Sequence, residues 1–193
     1  PKKAKPVKDF FDGFNEVILK LIDLIMLVAP FGVFALLATL IVESPSLDIF
    51  LALGLYTFTL VAGLTSMIII YTLLVKIYVK IKPSKFIRGI SPAQLLAFST
   101  SSSAATLPVT MERVEEHLGV DEEVASFVLP VGATINMDGT SLYQAVAAVF
   151  IAQAFGMDLS LGTQLGIIIT ATLASIGAAA VPSAGMVMLV IVL

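Results

Sequence analysis

Long uncharged stretches divide the first half of the chain into segments of helical length. Residues 24–42 and 49–75 carry no charged side chain. The second of these runs would extend about 40 Å as an α-helix. Because an α-helix needs about 20 mostly apolar residues to cross a bilayer, the pattern predicts two transmembrane helices. The first of them has an amphipathic approach from Phe10 onward and a predicted bend at Pro30.

The apolar segments of the second half do not fit one membrane crossing each. Residues 91–111 have three serines at their centre, 124–156 carry only the charge of Asp138, and 159–193 are uncharged throughout. As a single helix the last segment would be about 52 Å long, and serine clusters with proline suit a lipid-facing helix poorly. The pattern predicts a helical hairpin at 91–111, a broken helix at 124–156 and a second hairpin at 159–193.

The interruptions in the two predicted hairpins match each other. Aligning residues 100–108 with 174–182 pairs Ser101 with Ser175 and the proline of one segment with that of the other. Non-helical backbone survives at membrane depth only where it lines a cavity or is buried in protein. Matching interrupted segments therefore indicate the binding site of a transporter. We also predict that the first hairpin begins with Ser91 as its helix cap and Pro92 in its first turn.

Composition and the placement of charge support a multi-pass protein of the plasma or inner membrane. Hydrophobic residues make up 58% of the chain and charged residues 13%, about half the charge of a typical soluble domain. Lysine and arginine lie before the first predicted span and after the second, whereas the connector Glu43–Asp48 has none. The positive-inside rule places both basic flanks in the cytoplasm. The chain has no cysteine, and its one histidine, His117, is expected to be solvated.

Asp138 is the residue that most strongly indicates chemistry. A carboxylate at membrane depth costs free energy unless it meets a cation, a proton path or an ionic partner. Oxygen donors surround it at Thr134, Asn136 and Thr140, and glycines at 132 and 139 permit an open backbone. This donor set suits a hard cation, although a structural ion pair with an arginine would also fit.

Two intramembrane enzyme classes can be weighed against the transporter interpretation. A serine protease needs a base near its serine, but His117 lies in a charged segment and no lysine lies within the spans. An aspartyl protease needs two carboxylates, and Asp138 is the one acid in its segment. We therefore predict that the protein is not an enzyme.

Three motifs, taken in order, resemble those of the excitatory amino-acid (glutamate) transporter family. They are the serine-rich tip followed by Ala-Thr-Leu-Pro-Val-Thr at 105–110, Asn-Met-Asp-Gly-Thr at 136–140, and Ser-Ile-Gly-Ala-Ala-Ala-Val-Pro-Ser-Ala-Gly at 175–185. The resemblance implies an all-α, elevator-type membrane fold with two re-entrant hairpins and a broken helix. Residues 1–48 would be a scaffold (trimerisation) helix with its connector, and 49–193 the transport domain. Because the family has further helices, we expect this chain to be part of a longer protein.

Carried over residue by residue, the resemblance implies sodium sites and a substrate site around the hairpin tips and the broken helix. One sodium site would comprise Gly132, Asn136 and Asp138. A second would lie near Thr134, Met137, Ser175, Ile176 and Ala178. Substrate contacts would come from Ser102, Ser103, Thr140, Val181 and Gly185.

The sequence departs from the family pattern at three informative positions. Ala104 replaces the last serine of the tip, Ala180 stands where glycine is usual, and Gln144 replaces the glutamate of potassium-countertransporting animal members. Proton-coupled bacterial relatives tend to have leucine and serine where this chain has Met137 and Thr140, so the resemblance favours sodium.

The resemblance thus implies sodium-coupled symport of an acidic amino acid, glutamate or aspartate, by a homotrimer in the lipid bilayer. Na⁺ would be the co-transported ion, and no nucleic-acid partner is expected. One alternative is a neutral amino-acid or dicarboxylate carrier on the same scaffold. Another is an ion-conducting or non-transporting fragment.

Overall fold

The computed structural model describes residues 5–43 and 48–193. Every regular element within those ranges is a helix, which confirms the all-helical part of the predicted fold class. The chain divides into two compact units, Pro1–Leu51 and Ala52–Leu193. Residues 44–47 of the predicted connector, and Lys2 and Lys3 of the predicted basic flank, lie outside the described residues.

Two long helices occupy the first part of the chain. α1 spans Lys5–Glu43 and remains helical through Pro30. α2 spans Asp48–Leu74 and continues as a π-helix, Val75–Val79, which ends at Lys80 in the left-handed region. Among the described residues, Asp48–Val79 is the one helical stretch long and apolar enough to cross a membrane, whereas Leu27–Thr39 of α1 is apolar but shorter.

The remaining helices form three consecutive pairs, each separated by a short non-helical segment. α3 and α4 pack against each other, α4 packs on α5, and α6 packs on both α7 and α8. Their bounds are α3 Pro83–Thr100, α4 Ser103–Glu116, α5 Glu122–Ile135, α6 Asp138–Ala154, α7 Leu161–Ile176 and α8 Ala184–Val192.

The packing places small residues inside and large apolar residues outside. Among the described residues, the buried hydrophobic side chains are all alanines, whereas Phe98 is 88% exposed and Phe155 is 80% exposed. A water-soluble protein buries its large apolar side chains instead. Small residues at helix interfaces and large ones outside are typical of helices that pack in lipid. The buried alanines are Ala93, Ala125, Ala147, Ala148, Ala152, Ala171, Ala174 and Ala178.

The first hairpin is longer than predicted, because Pro92 does not start a helix. α3 begins at Pro83 and includes Pro92 in its interior, and α4 continues to Glu116. A proline inside a helix leaves the carbonyl four residues earlier without its usual donor. Here the Ser91 hydroxyl donates to that carbonyl, Arg88 O, at 3.1 Å. The predicted cap at Ser91 and the limits 91–111 were therefore wrong.

Each of the three pairs is interrupted by a backbone that leaves helical geometry. Between α3 and α4, Ser101 has φ of 51°, and Ser102 is extended and caps α4 by accepting from Ala105 N at 3.2 Å. Between α5 and α6 the interruption is only Asn136 and Met137. Residues 177–183 connect α7 to α8. These interruptions confirm the predicted helical breaks, although they do not test whether either hairpin is re-entrant.

Candidate functional site

A cavity of about 310 Å³ lies where the helix formed by α5 and α6 is broken. Its wall combines the end of α2, the start of α4 and the start of α6, so residues distant in sequence meet there. The lining residues are Met67, Tyr71, Ser103, Asn136, Met137, Asp138, Gly139 and Thr140. This volume lies at the lower end of the range of small-molecule sites.

Helix ends of both polarities meet at this cavity. α4 begins at Ser103 and α6 at Asp138, so the first-turn amides of both helices lie at the cavity, where an α-helix leaves N–H groups without intrahelical partners. α5 ends at Ile135, directly beside Asn136 in the lining. Amino ends of helices favour anions and carboxyl ends favour cations. The cavity therefore offers favourable positions for a carboxylate and for a cation.

Asp138 is the charged group of this lining, and two side chains from different elements contact it. The hydroxyl of Tyr71, on α2, donates to Asp138 Oδ2. With its nitrogen turned towards the carboxylate, the Asn136 amide donates to Oδ2 at 2.9 Å and to Oδ1 at 3.2 Å. The negative charge is thus hydrogen-bonded without a basic partner among the described lining residues.

The Asn136 amide can face Asp138 in either of two orientations. With its nitrogen towards the carboxylate it donates to both oxygens. Rotated by half a turn, it would present its oxygen to two carboxylate oxygens, an arrangement that is repulsive unless a cation lies between them. Hard cations such as Na⁺ prefer such a set of oxygens. The two side chains can therefore bond to each other without an ion, and after rotation of the amide they can present the Asn136 oxygen and the carboxylate to an ion.

The tips of the two hairpins are in direct contact. The Ser102 hydroxyl donates to Ala180 O at 2.8 Å, and the Ala104 amide donates to the same carbonyl at 3.2 Å. Ser102 is only 6% exposed. Its hydroxyl therefore joins the hairpins in this structure, whereas its neighbour Ser103 lines the cavity.

The start of α8 packs closely on α6. A Cβ atom built on Gly185 would lie 3.0 Å from Thr140 Cγ2, which is tighter than ordinary contact. One turn further along α6, Gln144 is fully buried and its Nε2 donates to Gly185 O at 3.1 Å. The amide oxygen of Gln144 has no hydrogen-bond partner among the described residues. Thr140 and Gly185, both predicted substrate contacts, are thus neighbours, and Gln144 anchors the second hairpin to α6.

The structure brings five of the predicted site residues to the cavity and leaves the others outside its lining. The five are Ser103, Asn136, Met137, Asp138 and Thr140. Those outside it are Ser102, Gly132, Thr134, Ser175, Ile176, Ala178, Val181 and Gly185.

Several predicted sodium ligands outside the lining already have local hydrogen bonds. The Thr134 hydroxyl donates to Val131 O at 3.0 Å, and the Ser175 hydroxyl donates to Thr172 O at 2.8 Å. The Gly132 carbonyl oxygen accepts from the backbone N–H of Asn136 at 2.9 Å. A carbonyl or hydroxyl oxygen keeps a second lone pair in such a bond, so these bonds leave an ion ligand possible.

Sequence reasoning missed Met67, Tyr71 and Gly139 as lining residues. Tyrosine in an apolar helix is common at membrane interfaces, so Tyr71 by itself did not indicate a site. A usable clue was the pair Tyr71 and Thr72, two adjacent hydroxyls in an otherwise apolar part of α2.

Comparison with known proteins gives the family. The whole chain, residues 1–193, matches the family model of the Sodium:dicarboxylate symporter family. The chain belongs to this family. It is 50% identical to excitatory amino acid transporter 3 of Mus musculus over 193 residues, and 50% identical to excitatory amino acid transporter 1 of Ambystoma tigrinum over 194 residues. It is 49% identical to excitatory amino acid transporter 3 of Homo sapiens over 193 residues.

These alignments cover the whole of this chain but only part of each relative. They include 100% of this chain, 37% of the mouse and human proteins and 36% of the salamander protein. The chain thus spans little more than a third of the length of these relatives. The resemblance inferred from the three motifs is confirmed, and the family and the named relatives are transporters rather than enzymes.

Proposed function

We propose that the protein containing this chain is a sodium-coupled symporter of an acidic amino acid. The observation that carries the proposal is the pair Asn136 and Asp138 at the broken helix, facing a cavity of about 310 Å³. The family model and the names of the relatives support the same activity. The ion and the amino acid are both cargo of the reaction.

Charge explains why the two cargoes would move together. The described lining carries the negative charge of Asp138 and no basic side chain. An anionic substrate would add a second negative charge in a site of low dielectric, where repulsion is strong. Sodium bound at Asp138 and Asn136 removes that penalty, so sodium and substrate each raise the affinity for the other. The first-turn amides of α6, together with Ser103 at the start of α4, would then hold the substrate carboxylate.

The predicted roles of the remaining residues form part of this proposal. A second sodium ion would lie near Thr134, Met137, Ser175, Ile176 and Ala178, and Gly132 would complete the first sodium site. The substrate would contact Ser102, Ser103, Thr140, Val181 and Gly185. Closeness of Thr140 to Gly185 supports this set, since both would then meet one ligand.

The arrangement in the membrane is also part of the proposal. Both hairpins would be re-entrant, residues 49–193 would form the mobile transport domain, and residues 1–48 would belong to a trimerising scaffold. The protein would be a multi-pass homotrimer of the plasma or inner membrane, moving its cargo by an elevator-like displacement. The exposure of large apolar side chains outside an alanine-rich interior supports the membrane setting.

A neutral amino acid is the second candidate substrate. The observation that favours it is the lack of a basic side chain in the described lining, since a side-chain carboxylate is best held by arginine. A competition series separates the candidates. An excess of unlabelled aspartate, alanine or succinate is added during uptake of labelled aspartate, and an acidic amino-acid carrier should be inhibited by aspartate alone.

The decisive experiment is uptake of radiolabelled aspartate by the full-length protein in proteoliposomes. An inward sodium gradient should drive accumulation, whereas replacement of sodium by choline should abolish it. Equal uptake in sodium and in choline would contradict the proposal.

A further inference from the structure

One face of α2 runs along α6 and ends at the cavity with Tyr71. A Cβ atom built on Gly63 would lie 2.8 Å from Leu142 Cδ2, so the Leu142 side chain of α6 packs against α2 at this glycine. Met67 and Tyr71 follow Gly63 at intervals of four residues, the spacing that keeps side chains on one helix face, and both line the cavity. Tyr71 therefore lies on the face of α2 that contacts α6, at the end of that face nearest the cavity.

The two carboxylate oxygens of Asp138 have different hydrogen-bond contacts. Oδ2 accepts from the Tyr71 hydroxyl, and the Asn136 nitrogen lies 2.9 Å from the same oxygen. Oδ1 has only the longer 3.2 Å contact with Asn136. One oxygen is therefore held by two donors from separate elements, and the other is the more available to an ion.

We propose that Tyr71 is a positioning residue of the sodium site, which anchors Oδ2 of Asp138 and leaves Oδ1 for the ion. This inference rests on the proposed function. Groups that orient the ligands of a metal ion contribute to its affinity even though they do not touch it. Tyr71 remains bonded to Oδ2 when Asn136 rotates to present its oxygen, so the carboxylate keeps its direction in both states.

The competing explanation is that Tyr71 is an aromatic anchor or a packing residue. The same helix offers a matched control in Tyr78, which lies seven residues further on, is 79% exposed and does not line the cavity. Tyr71→Phe and Tyr78→Phe each remove one hydroxyl and keep the ring. Only the first removes a donor to Asp138.

The test uses the full-length protein and two measurements. The first is the half-saturating sodium concentration for uptake at saturating substrate, together with the maximal rate. The second is the thermal unfolding midpoint of the purified protein in choline and at increasing sodium, without substrate. For Tyr71→Phe we expect the half-saturating sodium concentration to rise about tenfold, with the maximal rate and the choline midpoint retained. Tyr78→Phe should match the wild type in both measurements.

Three other outcomes would overturn the proposal. Sodium affinity that is unchanged or tighter in Tyr71→Phe would show that the hydroxyl does not position Asp138. A lower choline midpoint with an unchanged response to sodium would assign the hydroxyl to packing. If the wild type itself shows no response to sodium in either measurement, the proposed function fails, and the proposal for Tyr71 fails with it.

Discussion

Replacing Ser102 by alanine should loosen the contact between the two hairpins. The Ser102 hydroxyl donates to Ala180 O at 2.8 Å and accepts from Ala105 N at 3.2 Å. Alanine removes both bonds, but Ala180 O keeps the Ala104 amide at 3.2 Å, so no buried carbonyl is left without a donor. The perturbation therefore separates the hairpin contact from a general loss of structure.

The size of the effect follows from these two bonds. Loss of the cap on α4 costs about 1 kcal/mol of stability. Loss of the bond to Ala180 removes about 1 kcal/mol of net stabilisation from the contact between the hairpins. Only the second contribution favours separation of the tips. It corresponds to an increase of about fivefold in the population with separated tips.

Thiol labelling measures this population, because the wild-type chain has no cysteine. A single cysteine at Ala178, which is only 5% exposed in the segment of the second tip, is labelled with a membrane-impermeant reagent without substrate. Labelling should be about fivefold faster with Ser102→Ala than without it, if opening precedes reaction. Ser99→Ala is the matched control, since its hydroxyl bonds locally to Leu96 O at 3.0 Å. An equal or slower rate in Ser102→Ala would refute the reasoning.

Three further predictions concern the full-length protein. Asp138→Asn should abolish sodium-driven uptake. The attraction lost between the carboxylate and a sodium ion about 4 Å away, at an effective dielectric constant of about 20, is about 4 kcal/mol. Uptake that still depends on sodium would contradict the cation site. Gln144, which replaces the glutamate of potassium-countertransporting members, is buried and cannot exchange a proton for potassium. Initial uptake into vesicles loaded with potassium or with choline should therefore be equal. A requirement for internal potassium would contradict this role of Gln144. Gly185→Ala should weaken substrate binding about fivefold, for a cost of about 1 kcal/mol as the new methyl group meets Thr140. Gly177→Ala, whose new methyl carbon would lie in ordinary contact at 3.7 Å from Ala174 O, should bind substrate normally, and equal affinities of the two variants would contradict the packing argument.

Much of the helical organisation followed from the sequence. The charge-free run 49–75 lies within Asp48–Val79, the one described helical stretch that is long and apolar enough to cross a membrane. The interruption near Asp138 was expected from the polar and glycine residues around it, and the structure breaks the helix at 136–137. The limits of the first hairpin were not predictable, because the serine that compensates for Pro92 acts through the folded backbone.

The sequence by itself determined which residues could carry chemistry. A single carboxylate in an uncharged segment, with an asparagine two residues earlier, indicates a cation site because burial of an uncompensated charge is costly. That argument needs only the spacing of residues along one segment. It therefore identified Asn136 and Asp138 and could not identify a partner from another helix.

Only the tertiary structure decided how the oxygens of that site are shared. Tyr71 is 67 residues from Asp138, and Ser102 is 78 residues from Ala180. Contacts at such separations depend on how helices pack, for example where the Leu142 side chain of α6 packs against Gly63 of α2. Local sequence patterns describe the faces of single helices, whereas the choice of which faces meet is made by packing over the whole domain. The family resemblance implied a substrate contact at Ser102, and the tertiary structure adds that its hydroxyl joins the two hairpins.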